Sequence, residues 1–148
     1  MMAPTPRSVR FEDAVLDKLA KFVMEHPGLS ISAAVNLLIT EALHMEEHPG
    51  VLFRTGPTGR RAVIVGGPDV WEIIRAVKAT RAADPDSSAE EIITMVAEYS
   101  GLPSHQVRTA IRYWSAYPDE IDAQIETADT VARDAETRWR REQGLLAS

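Results

Sequence analysis

The 148-residue chain has no cysteine. That excludes a disulfide framework, thiol catalysis and the cysteine-based zinc sites, and it accords with a reducing compartment. Long apolar runs are missing too, and no stretch approaches the roughly 20 residues of a membrane span. The opening MMAPTPRSVR lacks the apolar core of a secretory leader. An excess of basic charge is also absent: the net charge is −6, which taken alone argues against a nucleic-acid binder. These absences predict a soluble, cytoplasmic protein with no membrane partner. What is present is a 45% hydrophobic chain, long enough to bury a core in one ordinary domain or two small ones.

The charge is unevenly distributed. Residues 1–81 sum to +1 and residues 82–148 to −7. Such asymmetry favours a front half that approaches polyanions and an acidic end that does not.

Apolar spacing divides the chain into three predicted segments. In residues 6–47 the row PRSVRF alternates, with Val9 and Phe11 apolar and Ser8 and Arg10 polar, which predicts a short strand that must pair with something. Asp13 is the expected cap of a first helix, in which Val15, Leu16, Leu19, Phe22 and Val23 keep helical spacing until Pro27-Gly28. Ser30 or Ser32 then caps a second helix with Val35, Leu38, Ile39, Ala42 and Leu43 on one face. Strand, helix, turn and helix in so short a span hold too little core for a monomer. Residues 51–118 read as a basic hairpin, Val51–Arg54 and Ala62–Val65, followed by three helices. Asp69 with Glu72 and the Ser88/Glu91 capping box open the first two, Gly101 ends the second, and Ser104 caps the third. Residues 119–148 predict an acidic C-terminal helix, with Ile121, Ile125, Ala128, Ala132, Ala135 and Trp139 spaced in heptad fashion. The fold class expected is mainly α with small β elements.

The words SVRF, AVLDKLAKF and GLSISAAVNLLI carry a resemblance to the ribbon-helix-helix family, the Arc/MetJ/CopG type of DNA-binding domain. The resemblance covers residues 6–47 and implies an intertwined homodimer whose paired strands lie in the DNA major groove. Strand parity on that fold places Val9 and Phe11 in the dimer core and turns Ser8 and Arg10 toward the bases. Arg10 is suited to bidentate contact with a guanine edge. The start of the second helix, Ser30, Ile31 and Ser32, would hold a phosphate on the helix dipole. Pro6 takes the third outward position without a donor, and Arg7 falls on the inward parity.

Further along, AEYSGLPSHQVRTAI reads as a helix-turn-helix, with Ala97 permitting close crossing, Gly101 the turn, and Val107 locking the second helix. Its outer face would present Ser104, His105, Gln106, Arg108, Thr109 and Arg112. A trihelical core with a polar exterior explains the same residues without DNA, and Asp84, Asp86, Glu90, Glu91 and Glu98 just upstream favour that reading. The words GRRAVIVGGPDVWEII and GLPSHQVRTAIRYWSAYPDEIDAQI make residues 51–125 similar to a bacterial domain of unknown function that accompanies antitoxins, including some of the VapB type. This resemblance implies a toxin–antitoxin setting.

Other constellations carry little chemistry. His44-Met45-Glu46-Glu47-His48 places Met where a metalloprotease helix needs Glu, and no third ligand is evident. Gly66-Gly67-Pro68 is neither a P-loop nor a dinucleotide fingerprint and reads as a turn. No enzyme motif, metal set or cofactor site is expected. The function expected is therefore a homodimeric, DNA-binding transcriptional regulator of antitoxin type. Its ribbon would read an operator, and its C-terminal part would bind a cognate toxin or other partner through Ile121, Ile125 and Trp139. The alternative is a dimeric interaction module that sequesters a partner without specific DNA binding.

Overall fold

The computed structural model describes residues 3–148. It is mainly helical, with one two-stranded antiparallel sheet among the described residues. The chain divides into two compact units, one running through His44 and the other beginning at Met45.

The first unit is a helix pair. Helix α1 spans Asp13–Glu25 and α2 spans Ile31–Glu47, with the last turn of α2 falling in the second unit. The residue flanking α1 is Glu12 rather than Asp13, so Asp13 becomes a first-turn acid at the positive end of the dipole. The helix stops where His26 Nδ1 donates to the Phe22 carbonyl (2.7 Å) and the two rings stack. Gly28, at φ +89°, turns the chain where a side chain would be strained. Ser30, not Ser32, is the α2 cap: its Oγ accepts the Ala33 amide at 3.1 Å. Residues 6–11, expected as a strand, form none within one chain. Among the described residues no strand lies beside them, and extended backbone becomes a strand only by pairing.

The second unit begins with a hairpin, β1 (Val51–Gly56) and β2 (Gly59–Ile64). Toward the turn β1 runs two residues and β2 three residues further than the sequence predicts, because Arg54↔Arg61, Thr55↔Arg60 and Gly56↔Gly59 stay in register, and β2 ends at Ile64 rather than Val65. Only Pro57-Thr58 is left to turn, and Gly59 takes φ +110°. Val51 and Phe53 on β1 oppose Ile64 and Ala62 on β2, and this face joins the core.

Helices α3 (Val70–Ala83), α4 (Ala89–Ser100), α5 (Ser104–Ala116) and α6 (Pro118–Ala147) follow. Asp69 precedes α3 but caps it with no side-chain hydrogen bond. Its carboxylate instead meets Arg61 Nε at 2.6 Å and accepts from Trp71 Nε1 at 3.1 Å. The Ser88 cap forms as expected, its Oγ accepting the Glu91 amide, and Gly101 ends α4 in the left-handed region at φ +68°. Pro103, not Ser104, flanks α5. Pro118 cannot continue α5 and opens α6, where its missing N–H costs nothing.

The core of this unit joins the hairpin face to one stripe from each of α3 to α6. Ile73, Val96, Val107 and Ile121 meet there, and Tyr113 is its largest fully buried side chain. The Tyr113 ring is edged by His48 and Phe53 and tilted against Tyr117, and its hydroxyl donates to Glu120 Oε2 at 2.8 Å. Tyr113→Ala is expected to destabilise the protein by about 3–5 kcal/mol through the cavity it leaves. Tyr113→Phe, which keeps the ring, should cost about 1 kcal/mol. Urea unfolding of both variants checks this, and equal losses would mean the hydroxyl rather than the ring anchors the core.

Candidate interaction surfaces

In the first unit the apolar stripes of α1 and α2 do not close over one another. Of their apolar side chains only Leu19 and Ala34 are buried, while Val15, Leu16, Ile39 and Leu43 are 44–56% exposed. Phe11, Val15, Leu19, Phe22, Leu38 and Ile39 line an open groove of about 380 Å³. Of the residues expected in a dimer core, Phe11 edges this groove and Val9 is 66% exposed.

The residues expected to face DNA fall into two sets. Ser8 and Arg10 are exposed on the extended segment ahead of α1. Ser30, Ile31 and Ser32 are exposed together at the start of α2. There the amides of Ile31 and Ser32 precede the first intrahelical bond, Ala34 N–H to the Ser30 carbonyl at 2.9 Å. Amides so placed point outward at the positive end of the dipole, which is anion-binding geometry.

In the second unit α4, the Gly101 turn and α5 follow one another, with Ala97 and Val107 buried in the core. The expected outer face of α5 is largely committed elsewhere. Thr109 is buried and its hydroxyl donates to the His105 carbonyl, while Gln106 Nε2 donates to the Val65 carbonyl at 3.2 Å. Arg108 grips Glu90 with both terminal nitrogens, at 2.8 and 2.5 Å. This fork holds the Glu90 carboxyl below its ordinary range and raises Arg108.

Helix α6 has two distinct halves. Ile121 is fully buried in the unit's own core, which removes it from any partner-facing surface. Ile125 is half-buried on the same core. The expected segment break at residue 119 is bridged by polar contacts: Asp122 Oδ1 accepts from Lys78 Nζ (2.6 Å) and Trp114 Nε1 (2.9 Å), and Arg75 reaches Asp129 at 3.4 Å. From Thr130 onward every residue is exposed, including Val131, Trp139, Leu145 and Leu146. Among the described residues no group of three or more His, Asp or Glu side chains is placed to hold a metal ion. His48, one of the paired histidines, packs edge-on against Tyr113 and Tyr117. No helix there is long and apolar enough to cross a membrane.

Lys78 and the Trp114 indole N–H, by hydrogen bonding, hold the Asp122 carboxyl below its ordinary value of 3.8. A carboxyl lowered on folding adds stability above its unfolded pKa, and the gain is lost as pH falls through the folded value. Asp122→Asn should therefore destabilise the protein at neutral pH by an amount that shrinks below about pH 4. Urea midpoints measured from pH 7 to pH 3 test this. A gap that does not narrow in acid would remove Asp122 as an electrostatic anchor of α6.

Compared with protein-family models, with curated proteins and with solved structures, the chain finds no match.

Proposed function

We propose that this chain is a homodimeric DNA-binding regulator of antitoxin type, as its resemblance to ribbon-helix-helix proteins implies. The observation that carries the reading is the open core of the first unit. Val15, Leu16, Ile39 and Leu43 are left half-exposed around a groove that the chain does not fill. Apolar surface gathered in this way marks an association site. A second copy supplies the same residues in reverse order, as a two-fold interface requires. Pairing of two 6–11 segments would then seat Phe11 and Val9 over the groove and leave Ser8 and Arg10 outward. The α2 starts would flank this ribbon with amides suited to phosphate.

Partner binding falls to the distal part of α6. Trp139 and Leu146, seven residues apart and so on one face, are exposed there, with Leu145 beside that face. An amphipathic helix with one such stripe suits a groove on another protein. A second reading, a dimeric module that sequesters a partner without reading DNA, is favoured by the committed face of α5 and the net charge of −6.

Sedimentation and gel shift with the DNA upstream of the protein's own gene separate the readings. Phe11→Ala should weaken the dimer by about 3–5 kcal/mol, and a wild-type chain that stays monomeric would overturn the proposal. Binding should fall steeply with salt. Arg10→Ala should cost about 1–3 kcal/mol and relax preference at one base pair. Equal losses on every sequence would make Arg10 a phosphate contact, and no loss would favour the second reading. Truncation after Thr130 should spare folding, dimerisation and DNA binding while removing a partner. Loss of folding would end the partner-arm assignment.

A further inference from the structure

Where α3, α4 and α5 meet, the second unit leaves a cavity of about 320 Å³ that opens to solvent. Ile74, Val77 and Arg81 are three and four residues apart on α3 and so share the face that forms one wall. Ile92 of α4 and Trp114 of α5 contribute to the other two. Ile74 and Ile92 are sealed, at 2% and 3% exposure, which makes the floor apolar and fixed. Trp114 is held too: its indole N–H donates to Asp122 at 2.9 Å, and Lys78 Nζ lies 5.4 Å from the ring centre. A concave apolar lining with few polar groups at its edge is the make-up of a small-molecule site, and the volume suits a small ligand.

The polar group at the edge is Arg81. Of the three cations on α3, Arg75 meets Asp129 and Lys78 meets Asp122, both on α6. Arg81 meets no acid among the described residues. Its Nη1 donates to the carbonyls of Pro85 and Ser87, at 3.3 and 2.6 Å, in the loop that joins α3 to α4. Those bonds fix the guanidinium and occupy one of its three nitrogens. Nε and Nη2 have no partner among the described residues, and the residue is exposed, so a ligand reaches them without breaking an existing contact. Asp84 and Asp86 stand in the same loop and form no ion pair with Arg81. Both are exposed, where water and salt weaken their field, whereas a carboxylate set against Nε and Nη2 gains two charge-assisted hydrogen bonds.

We propose that this cavity binds a small apolar monocarboxylate. Its hydrocarbon would lie against Ile74, Ile92 and Trp114, and its carboxylate would accept side-on from Arg81 Nε and Nη2. An apolar cation would meet the guanidinium with like charge, and a neutral apolar molecule would leave it unused. Such binding needs neither DNA nor a second copy, so it stands apart from the proposed regulatory role.

Isothermal titration of the full chain with octanoate, octanol and octylammonium at neutral pH tests this, because the three differ only in the head group. Octanoate should bind saturably, about ten-fold tighter than octanol for the charge-assisted contact, with octylammonium the weakest. Arg81→Gln should bring octanoate down to the affinity of octanol and leave octanol unchanged. A thermal melt shows whether that variant folds. If it does not, Arg81→Lys keeps the charge but loses the fork, and it should narrow the preference in the same direction. With Trp71→Phe and Trp139→Phe together, Trp114 is the one tryptophan of the chain, and its emission should move to the blue as octanoate displaces water from the ring. Titration with 2-naphthoate identifies the hydrocarbon, an aromatic acid if it binds more tightly than octanoate and an aliphatic one if it binds more weakly. Equal binding of octanoate and octanol to the wild type, tighter binding of octylammonium, or no saturable binding in the millimolar range would overturn the proposal. So would a preference undiminished in the Arg81 variant, or a Trp114 emission unmoved at saturation.

Discussion

Two helices cannot enclose a core between them. Each amphipathic helix presents one apolar stripe, and a pair covers only the part of each stripe that faces the other. In the first unit this leaves Val15 and Leu16 on α1, and Ile39 and Leu43 on α2, half in water. The segment ahead of α1 shares the constraint. Its alternating Val9 and Phe11 have one face to bury, and among the described residues its backbone pairs with no strand. Both deficits would be met by the same addition, a third layer supplied from outside the unit. The size of the unit, the open groove and the unpaired segment are thus one physical fact seen three ways.

The second unit provides its own third layer. Helix α6 lays Ile121 and Ile125 across α3 and α5, and Tyr113 fills the space beneath. The acids of its first half are spent locally. Glu120 takes the Tyr113 hydroxyl, Asp122 takes Lys78 and the Trp114 indole, and Asp129 meets Arg75. Acidity that reads in the sequence as a free, DNA-repelling surface is therefore partly the means by which the helix is fixed. Beyond Val131, which still lines a cleft beside Trp71, the described contacts are the helix's own ladder and pairs such as Glu136 with Arg140, which contribute a few tenths of a kcal/mol at most.

Most elements were legible in the sequence because local signals agreed with one another. The Ser88/Glu91 box, Gly101, the Pro57–Gly59 turn and Pro118 each act through their own backbone geometry, and the elements end where those residues stand. Caps at Asp13, Asp69 and Ser104 were misplaced by one residue or by function. A carboxylate chooses its partner by what lies near in space, and Asp69 finds Arg61 and Trp71 rather than its own helix. The heptad spacing of α6 does not say what covers it: Ile121 and Ile125 lie on the core, while Ala132, Ala135 and Trp139 are exposed. Ile121 and Trp139 belong to one pattern, and one is sealed while the other is exposed.

A helix-turn-helix has the shape to enter a groove, but shape alone does not bind DNA. To meet a phosphate, Arg108 must leave Glu90, and an exposed fork of this kind is worth little. The greater cost comes afterward, because Glu90 then stands uncompensated beside the phosphate, with Glu91 next to it on α4. Gln106 is occupied by the Val65 carbonyl, and Thr109 is turned inward. Of the six outward candidates on α5, this leaves Ser104, His105 and Arg112, too few donors for bidentate base readout along a helix. Any reading of DNA by this chain consequently rests on the first unit. There, among the described residues, no acid is paired with Arg10 or with the α2 amides, and a second copy would double the number of donors without adding to the length of the chain.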